Sequence, residues 1–269
     1  MIDIRDELFS SLMNKKYLAE LIVERKGILS GIKNARDCFK DMEAELEFLK
    51  KDGDRVEEMQ CICRIIANPK NIALIEEKLI GTISKYSGIS TAANYAVKLA
   101  NNKVKIVSGS WKKMPPEIKN NIREAIVTGG ASFRILDSPM LYLDKNYINM
   151  FGSIPDVLKE ASKFNKLNKV VQIRGMYESI EEETRQAIKY GANVLMVDTG
   201  DLLDLEKCKK ELEKIDKYKE IKVAYAGNVK LDNIKFIVDN YAPDILCIGK
   251  EIVDAPILDM KINVIKEKI

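Results

Sequence analysis

At 269 residues, 46% apolar and 32% charged, the chain is long enough for one large domain, or one with a smaller companion, around a proper core. Its 44 basic and 41 acidic residues leave a net charge of +3, too balanced to point to nucleic acid, and no apolar run reaches membrane-spanning length. The acidic start MIDIRDE does not read as a signal peptide, so a cytoplasmic location is expected.

The absence of histidine excludes Ser-His and Cys-His catalysis, His-ligated metals and imidazole acid–base chemistry. The cysteines Cys38, Cys61, Cys63, Cys208 and Cys247 are odd in number, and no second pair joins Cys61 and Cys63 at zinc-ligand spacing. They read as buried, inert side chains, and no metal-ligating residues are assigned.

In chain order, residues 1–14 read as a short helix, and residues 20–31 alternate about Gly27 like a hairpin. Strands follow at 44–49 and 61–66, separated by the turn Lys51-Asp52-Gly53-Asp54, and Asn68-Pro69 closes this β-rich section. Residues 71–100 are helical in period, with Ile72, Ile75, Leu79 and Ile83, then Ile89, Ala93 and Val97. A break is expected at Gly88, with Ser90 or Thr91 capping the second half. Asn101-Asn102-Lys103 marks the expected boundary between domains 1–102 and 103–269.

Past that boundary, apolar strands at 105–107, 133–136, 141–143, 170–173, 194–197, 223–226 and 245–248 alternate with helices such as 156–164, 180–190, 205–214 and 231–240. This pattern predicts a βα array closing into a barrel or partial barrel, with a doubly wound open sheet as the alternative. The charged runs 181–183 and 207–219 read as solvated helix faces.

The stretch 106–148 concentrates the chemistry. Lys112 and Lys113 follow its first strand, Arg134 lies within the predicted strand 133–136, and Asp144, Lys145 and Asn146 follow a third apolar run. Basic groups at successive strand ends suit a phosphate- or carboxylate-bearing ligand. A buried Arg134 would need an anion or a salt bridge. Lys112 and Lys113 are otherwise a solvated loop, or Schiff-base candidates for a lysine-dependent lyase. Trp111 is either packing or a stacking surface.

The segments Val23-Glu24-Arg25-Lys26-Gly27-Ile28-Leu29-Ser30-Gly31, Asp52-Gly53-Asp54, Ser87-Gly88-Ile89-Ser90-Thr91 and Ala255-Pro256-Ile257-Leu258-Asp259, in this order and spacing, resemble the nicotinate-nucleotide pyrophosphorylases (quinolinate phosphoribosyltransferases). The resemblance covers nearly the whole chain. It implies an α/β class protein: an N-terminal α/β sandwich domain that dimerises, and a C-terminal open α/β barrel carrying the active site. It also implies transfer of phosphoribosyl from PRPP to a pyridine nitrogen, with Mg2+, in a homodimer whose sites borrow groups across the subunits. Asp198 of Val197-Asp198-Thr199 matches the family's aspartate for ribose hydroxyls or magnesium, and Gly227, Asn228 and Gly249 stand where glycine turns meet a 5′-phosphate. The cross-subunit position falls on Glu77 and Lys78.

The departures fall in the base pocket. The family's Thr-Arg-Lys-Thr-Thr-Pro is similar to Ser110-Trp111-Lys112-Lys113-Met114-Pro115, in that register or shifted by one. Its His-Arg corresponds to Phe133-Arg134, its Lys-Asp-Asn-His to Asp144-Lys145-Asn146-Tyr147, and its Glu-Val-Glu to Gln172-Ile173-Arg174. A pocket that exchanges Arg, His and Lys for Trp, Phe and Asp does not balance quinolinate's two carboxylates. The expected acceptor is a monocarboxylate or neutral heterocycle beside Trp111 and Phe133. A non-catalytic or accessory role, like that of the molybdenum-transport-associated ModD proteins, is the alternative. Lys112, Lys113, Arg134, Asp198, Gly227 and Gly249 are expected to converge on one cleft at the C-terminal ends of the barrel strands.

Overall fold

A computed structural model describes residues 3–215 and 220–268. In chain order its strands are β1 (Lys16–Val23), β2 (Gly27–Ile28), β3 (Ala44–Phe48), β4 (Arg55–Val56), β5 (Cys61–Ala67), β6 (Lys105–Val107), β7 (Met140–Leu143), β8 (Asn168–Ile173), β9 (Val194–Asp198), β10 (Lys222–Ala226), β11 (Ile245–Cys247) and β12 (Met260–Lys268). The helices are α1 (Ile4–Leu8), α2 (Ile32–Phe39), α3 (Pro69–Leu99), α4 (Lys119–Thr128), α5 (Lys145–Phe151), α6 (Ile154–Ala161), α7 (Ile180–Lys189), α8 (Leu202–Glu213), α9 (Ile234–Tyr241) and α10 (Lys250–Val253). Among the described residues no helix is long and apolar enough to cross a membrane.

Two compact units emerge. The first takes residues 3–94, Trp111–Gly130 and the chain from Ile252; the second takes Tyr95–Ser110 and Ala131–Glu251.

The first unit is built on an antiparallel sheet in the order β12-β1-β5-β3. Alternation along β1 turns Ala19, Leu21 and Val23 to one face, where they pack with Ile32, Ala35 and Phe39 of α2 and Ile72, Ile75, Leu79 and Ile83 of α3. Helices on one face of a sheet make the expected α/β sandwich. The expected hairpin about Gly27 does not form: β2 pairs with β4, while β1 pairs with β5 and β12. Helix α2 starts where the Asp52 carboxylate accepts from the backbone N–H groups of Ile32 (2.8 Å) and Lys33 (3.1 Å).

The expected break at Gly88 is also absent, since α3 runs unbroken for 31 residues. This glycine serves close approach. A Cβ there would lie 2.1 Å from the Pro256 carbonyl oxygen, so only glycine lets that segment dock on the helix. The neighbouring hydroxyls have partners: Thr91 donates to the Ser87 carbonyl within α3, and Ser90 donates to the Ala125 carbonyl of α4.

The second unit holds a six-stranded parallel sheet in the order β6-β11-β10-β9-β8-β7. From β7 to β11 each strand lies beside its predecessor, and β6 flanks the last strand instead of β7. A doubly wound sheet reverses direction in mid-sheet; this one winds one way and is an open α/β barrel with its gap between β6 and β7. Val107, Val170, Val194, Met196, Ala224 and Ile245 fill its interior, as the apolar strand runs predicted.

Residues 133–136 do not form the strand expected of them. Ser132 alone bridges Val107, and the chain then bends, so Ile135 and Leu136 join the interior as side chains without extending the ladder. The charged runs are not the wholly solvated faces expected of them. Glu183 is only 2% exposed, and Glu211 is buried between Arg185 (2.9 Å) and Lys214 (2.5 Å). Residues 216–219 of the second run lie outside the described residues.

Candidate active site

Because its strands are parallel, the barrel sheet puts all their C-terminal ends on one edge, where α/β proteins bind ligands. Period-two alternation carries the interior face upward from Val194 and Met196 to Asp198, from Val170 to Gln172, and from Met140 to Tyr142. Polar groups thus cap an apolar barrel interior.

Asp198 and Gln172 form the centre of this edge. Gln172 is buried; its Nε2 donates to Asp198 Oδ2, and its Oε1 accepts from the Lys145 backbone N–H at 2.7 Å. The Arg174 guanidinium stands 3.6 Å from the same Asp198 oxygen. Burial, reinforced by the Asp198 carboxylate, pushes the Tyr142 phenol well above its ordinary value, so it remains protonated. A narrow cleft beside these groups is lined by Lys145, Gln172, Arg174, Met176 and Tyr177.

The loop after β8 is anchored from below. Glu183 Oε2 accepts from the N–H groups of Arg174 and Gly175, both at 2.8 Å, and its Oε1 accepts from those of Met176 (2.9 Å) and Tyr177 (3.2 Å). A buried carboxylate with four backbone donors is fully satisfied and fixes the loop that carries Arg174. The sequence signal was the Ser179-x-x-Glu182 helix start, with the Ser179 hydroxyl accepting from the Glu182 N–H, which puts Glu183 on the inward side of α7.

The glycine turns lie on the same edge. Ala226 pairs with Asp198, so Gly227 follows immediately, at φ 90°; a Cβ there would be 2.6 Å from Gly200 N, and Gly200 N–H donates to the Ala226 carbonyl. Asn228 is also left-handed, at φ 51°. At Gly249, just past β11, a Cβ would lie 2.4 Å from the Ser110 hydroxyl oxygen.

The other candidates have different settings. Asp144 is the N-cap of α5, accepting from the N–H groups of Asn146 and Tyr147, and Lys145 opens that helix, exposed. Arg134 is exposed in a bend, its guanidinium 5.2 Å from the Phe133 ring centroid; without the expected strand there is no burial to compel an anion partner. Trp111, Lys112 and Lys113 belong to the first unit. Arg123 covers the Trp111 ring at 4.0 Å, which favours packing for that face. Lys112 and Lys113 are exposed on a 3-10 turn, so the dry pocket that Schiff-base chemistry needs is not built around them. Glu77 and Lys78 are exposed on α3, with Glu77 paired to Arg5 at 2.6 Å.

The residues do not fit a protein-held magnesium ion. Among the described residues no three Cys, Asp or Glu side chains are grouped to hold a metal. At the strand ends Asp198 is engaged by Gln172 and Arg174, and Asp144 by the first turn of α5. The all-oxygen donor set of a hard cation is missing there.

Residues 89–263 match the family profile described as quinolinate phosphoribosyl transferase, C-terminal domain, and residues 3–87 the corresponding N-terminal domain. A probable nicotinate-nucleotide pyrophosphorylase (carboxylating) of Archaeoglobus fulgidus is 23% identical over 260 residues, covering 96% of this chain and 98% of the relative. The rat enzyme, nicotinate-nucleotide pyrophosphorylase (carboxylating) of Rattus norvegicus, is 24% identical over 265 residues, covering 96% of this chain and 86% of its own. The crystal structure of the nicotinate-nucleotide pyrophosphorylase from Pyrococcus furiosus shares the fold, with a TM-score of 0.84 at 19% identity over 98% of this chain and 74% of that one. Matched over both its domains, the chain belongs to the quinolinate phosphoribosyl transferase family.

Proposed function

We propose that this protein transfers the phosphoribosyl group of PRPP to the ring nitrogen of a heterocycle bearing at most one carboxylate. The observation that carries the reading is the Asp198 carboxylate at the barrel edge, directly beside the turn at Gly227. In this reaction the nitrogen lone pair forms a bond to the anomeric carbon, and the bond from that carbon to pyrophosphate breaks, its electron pair leaving with pyrophosphate. No proton need reach the leaving group, which suits a chain without histidine.

In this reading Asp198 Oδ1 accepts from ribose hydroxyls, while Gln172 and Arg174 hold Oδ2 and fix the carboxylate. The backbone amides at Gly227 and Gly249 meet the 5′-phosphate. A neutral or singly charged acceptor is inferred from Trp111, Phe133 and Asp144 standing where the family has Arg, His and Lys. The protein works as a cytoplasmic homodimer, with Glu77 and Lys78 at the neighbouring subunit. Light scattering should then give twice 30.5 kDa.

The test is 31P NMR of pyrophosphate release from PRPP with quinolinate, nicotinate and an uncharged pyridine in turn. Release with the latter two, and little with quinolinate, supports the reading. Absence of PRPP binding by calorimetry in magnesium-containing buffer overturns it in favour of an accessory role.

A further inference from the structure

Asp198 is a strand-end carboxylate whose charge the protein already balances. Gln172 and Arg174 both meet its Oδ2, and Gln172 is itself locked by the Lys145 N–H. Arg174 does not sit on a free loop: its own N–H and that of Gly175 are held by Glu183. The other acids nearby are committed elsewhere, Asp144 to the start of α5 and Glu183 to four backbone donors. The cleft at this point is lined by Lys145, Arg174 and Gln172 with Ile148, Met176 and Tyr177, and its one carboxylate, Glu183, has both oxygens taken by backbone donors. A divalent ion placed at Asp198 would have to displace the Gln172 amide and would stand against a guanidinium, an arrangement that like-charge repulsion opposes. A guanidinium, in turn, offers planar paired donors that match phosphate oxygens.

We infer that Arg174 takes the position a divalent cation would hold at Asp198. The Arg174 guanidinium then donates to the 5′-phosphate of a phosphoribosyl ligand together with the backbone amides at Gly227 and Gly249, with no metal ion at the ends of β8 and β9. The ligand half of this inference rests on the proposed function; the metal half rests on the donor set alone.

Two measurements on the full chain test the halves separately. The first follows the free Mn2+ signal by electron paramagnetic resonance as protein is added, with no other ligand present. Wild type should leave the signal undiminished. The Gln172→Glu/Arg174→Glu variant, which sets two acids beside Asp198, should deplete it. Depletion by wild type that is lost in Asp198→Asn overturns the metal half. The second is calorimetry with ribose 5-phosphate and PRPP, in EDTA and in Mg2+, with melting temperature confirming that each variant is folded. The wild-type affinity for ribose 5-phosphate should agree within about twofold between the two buffers, and Arg174→Gln should weaken it about tenfold or more in EDTA. A tenfold gain on adding Mg2+, or no loss in Arg174→Gln, overturns the ligand half. If neither ligand binds in either buffer, the proposed function fails and takes the ligand half with it, while the Mn2+ result still decides the metal half.

Discussion

Replacing Glu183 by Gln probes how firmly the loop after β8 is held. The carboxylate accepts four backbone N–H groups, two on each oxygen. A Gln side chain keeps one carbonyl oxygen and turns an NH2 group toward the other two donors, so two charge-assisted hydrogen bonds are lost and two become neutral. At ~1.5–3 kcal/mol for a hydrogen bond to a charged group and ~1 kcal/mol for each one weakened, the gross loss is about 5–8 kcal/mol. Two effects offset it: the backbone at 175–177 belongs to exposed residues and can turn to water, and the desolvation of a buried carboxylate is relieved. The expected net destabilisation is therefore about 2–4 kcal/mol, read from urea denaturation with an unchanged slope. Amide hydrogen exchange at residues 174–177 should speed up in parallel. Glu182→Gln, which alters the exposed neighbour paired with Arg185, is the control and should leave the midpoint in place. A shift below about 0.5 kcal/mol for Glu183→Gln, with amide protection intact, would show that the four contacts do not hold the loop.

Gly88→Ala should destabilise by about 2 kcal/mol or more in thermal unfolding, because its Cβ meets the Pro256 carbonyl, whereas Gly81→Ala in the same helix, with open space around it, should stabilise by about 0.5–1 kcal/mol. Gly227→Ala, strained at φ 90° and tight against Gly200, should abolish phosphoribosyl ligand binding by calorimetry before it unfolds the barrel. Burial pushes the Cys63 thiol up to about 12 and that of Cys208 to about 11, so native alkylation at about pH 8, read by mass spectrometry, should modify exposed Cys38 first and spare those two until unfolding. The hydrogen bond from Lys214, aided by Arg185, holds the Glu211 carboxyl below its ordinary value of 4.5 against the opposing effect of burial. Its stabilisation is complete above that value and lost as pH falls through the lowered one, so Glu211→Gln should flatten the acid limb of the melting-temperature profile.

The parallel strands were legible because strands buried on both faces have to be apolar throughout, and six of the predicted runs pair as expected. The stretch 133–136 has the same composition without the ladder: Ile135 and Leu136 fill the barrel beside its gap, and apolar content alone does not separate a strand from a plug. Helix α2 was missed because its buried residues are only Ile32, Ala35 and Phe39, and its start is fixed by Asp52 from a distant turn. At the site, the sequence pointed to Asp198 and to the glycine turns. It could not show that Gln172 and Arg174 would close on the same oxygen, or that one glutamate of an acidic run would turn inward, because both depend on which loop folds over which helix. Arg134 was misjudged with its strand: the inferred need for an anion partner rested on burial that is not there.

The pairing of β1 with β12 has a consequence for how the protein is made. Lys16 lies opposite Lys268, and Val23 opposite Met260, so the first long strand finds this partner only after more than two hundred further residues have been synthesised. At ordinary rates of translation that interval is roughly 10–50 s, during which β1 can be paired by β5 on one flank while the other stays open. An unpaired flank of this kind is a template for pairing with other chains. The nascent protein therefore passes through a period of vulnerability set by the ribosome, and shielding during synthesis should matter more for its yield than its final stability would suggest.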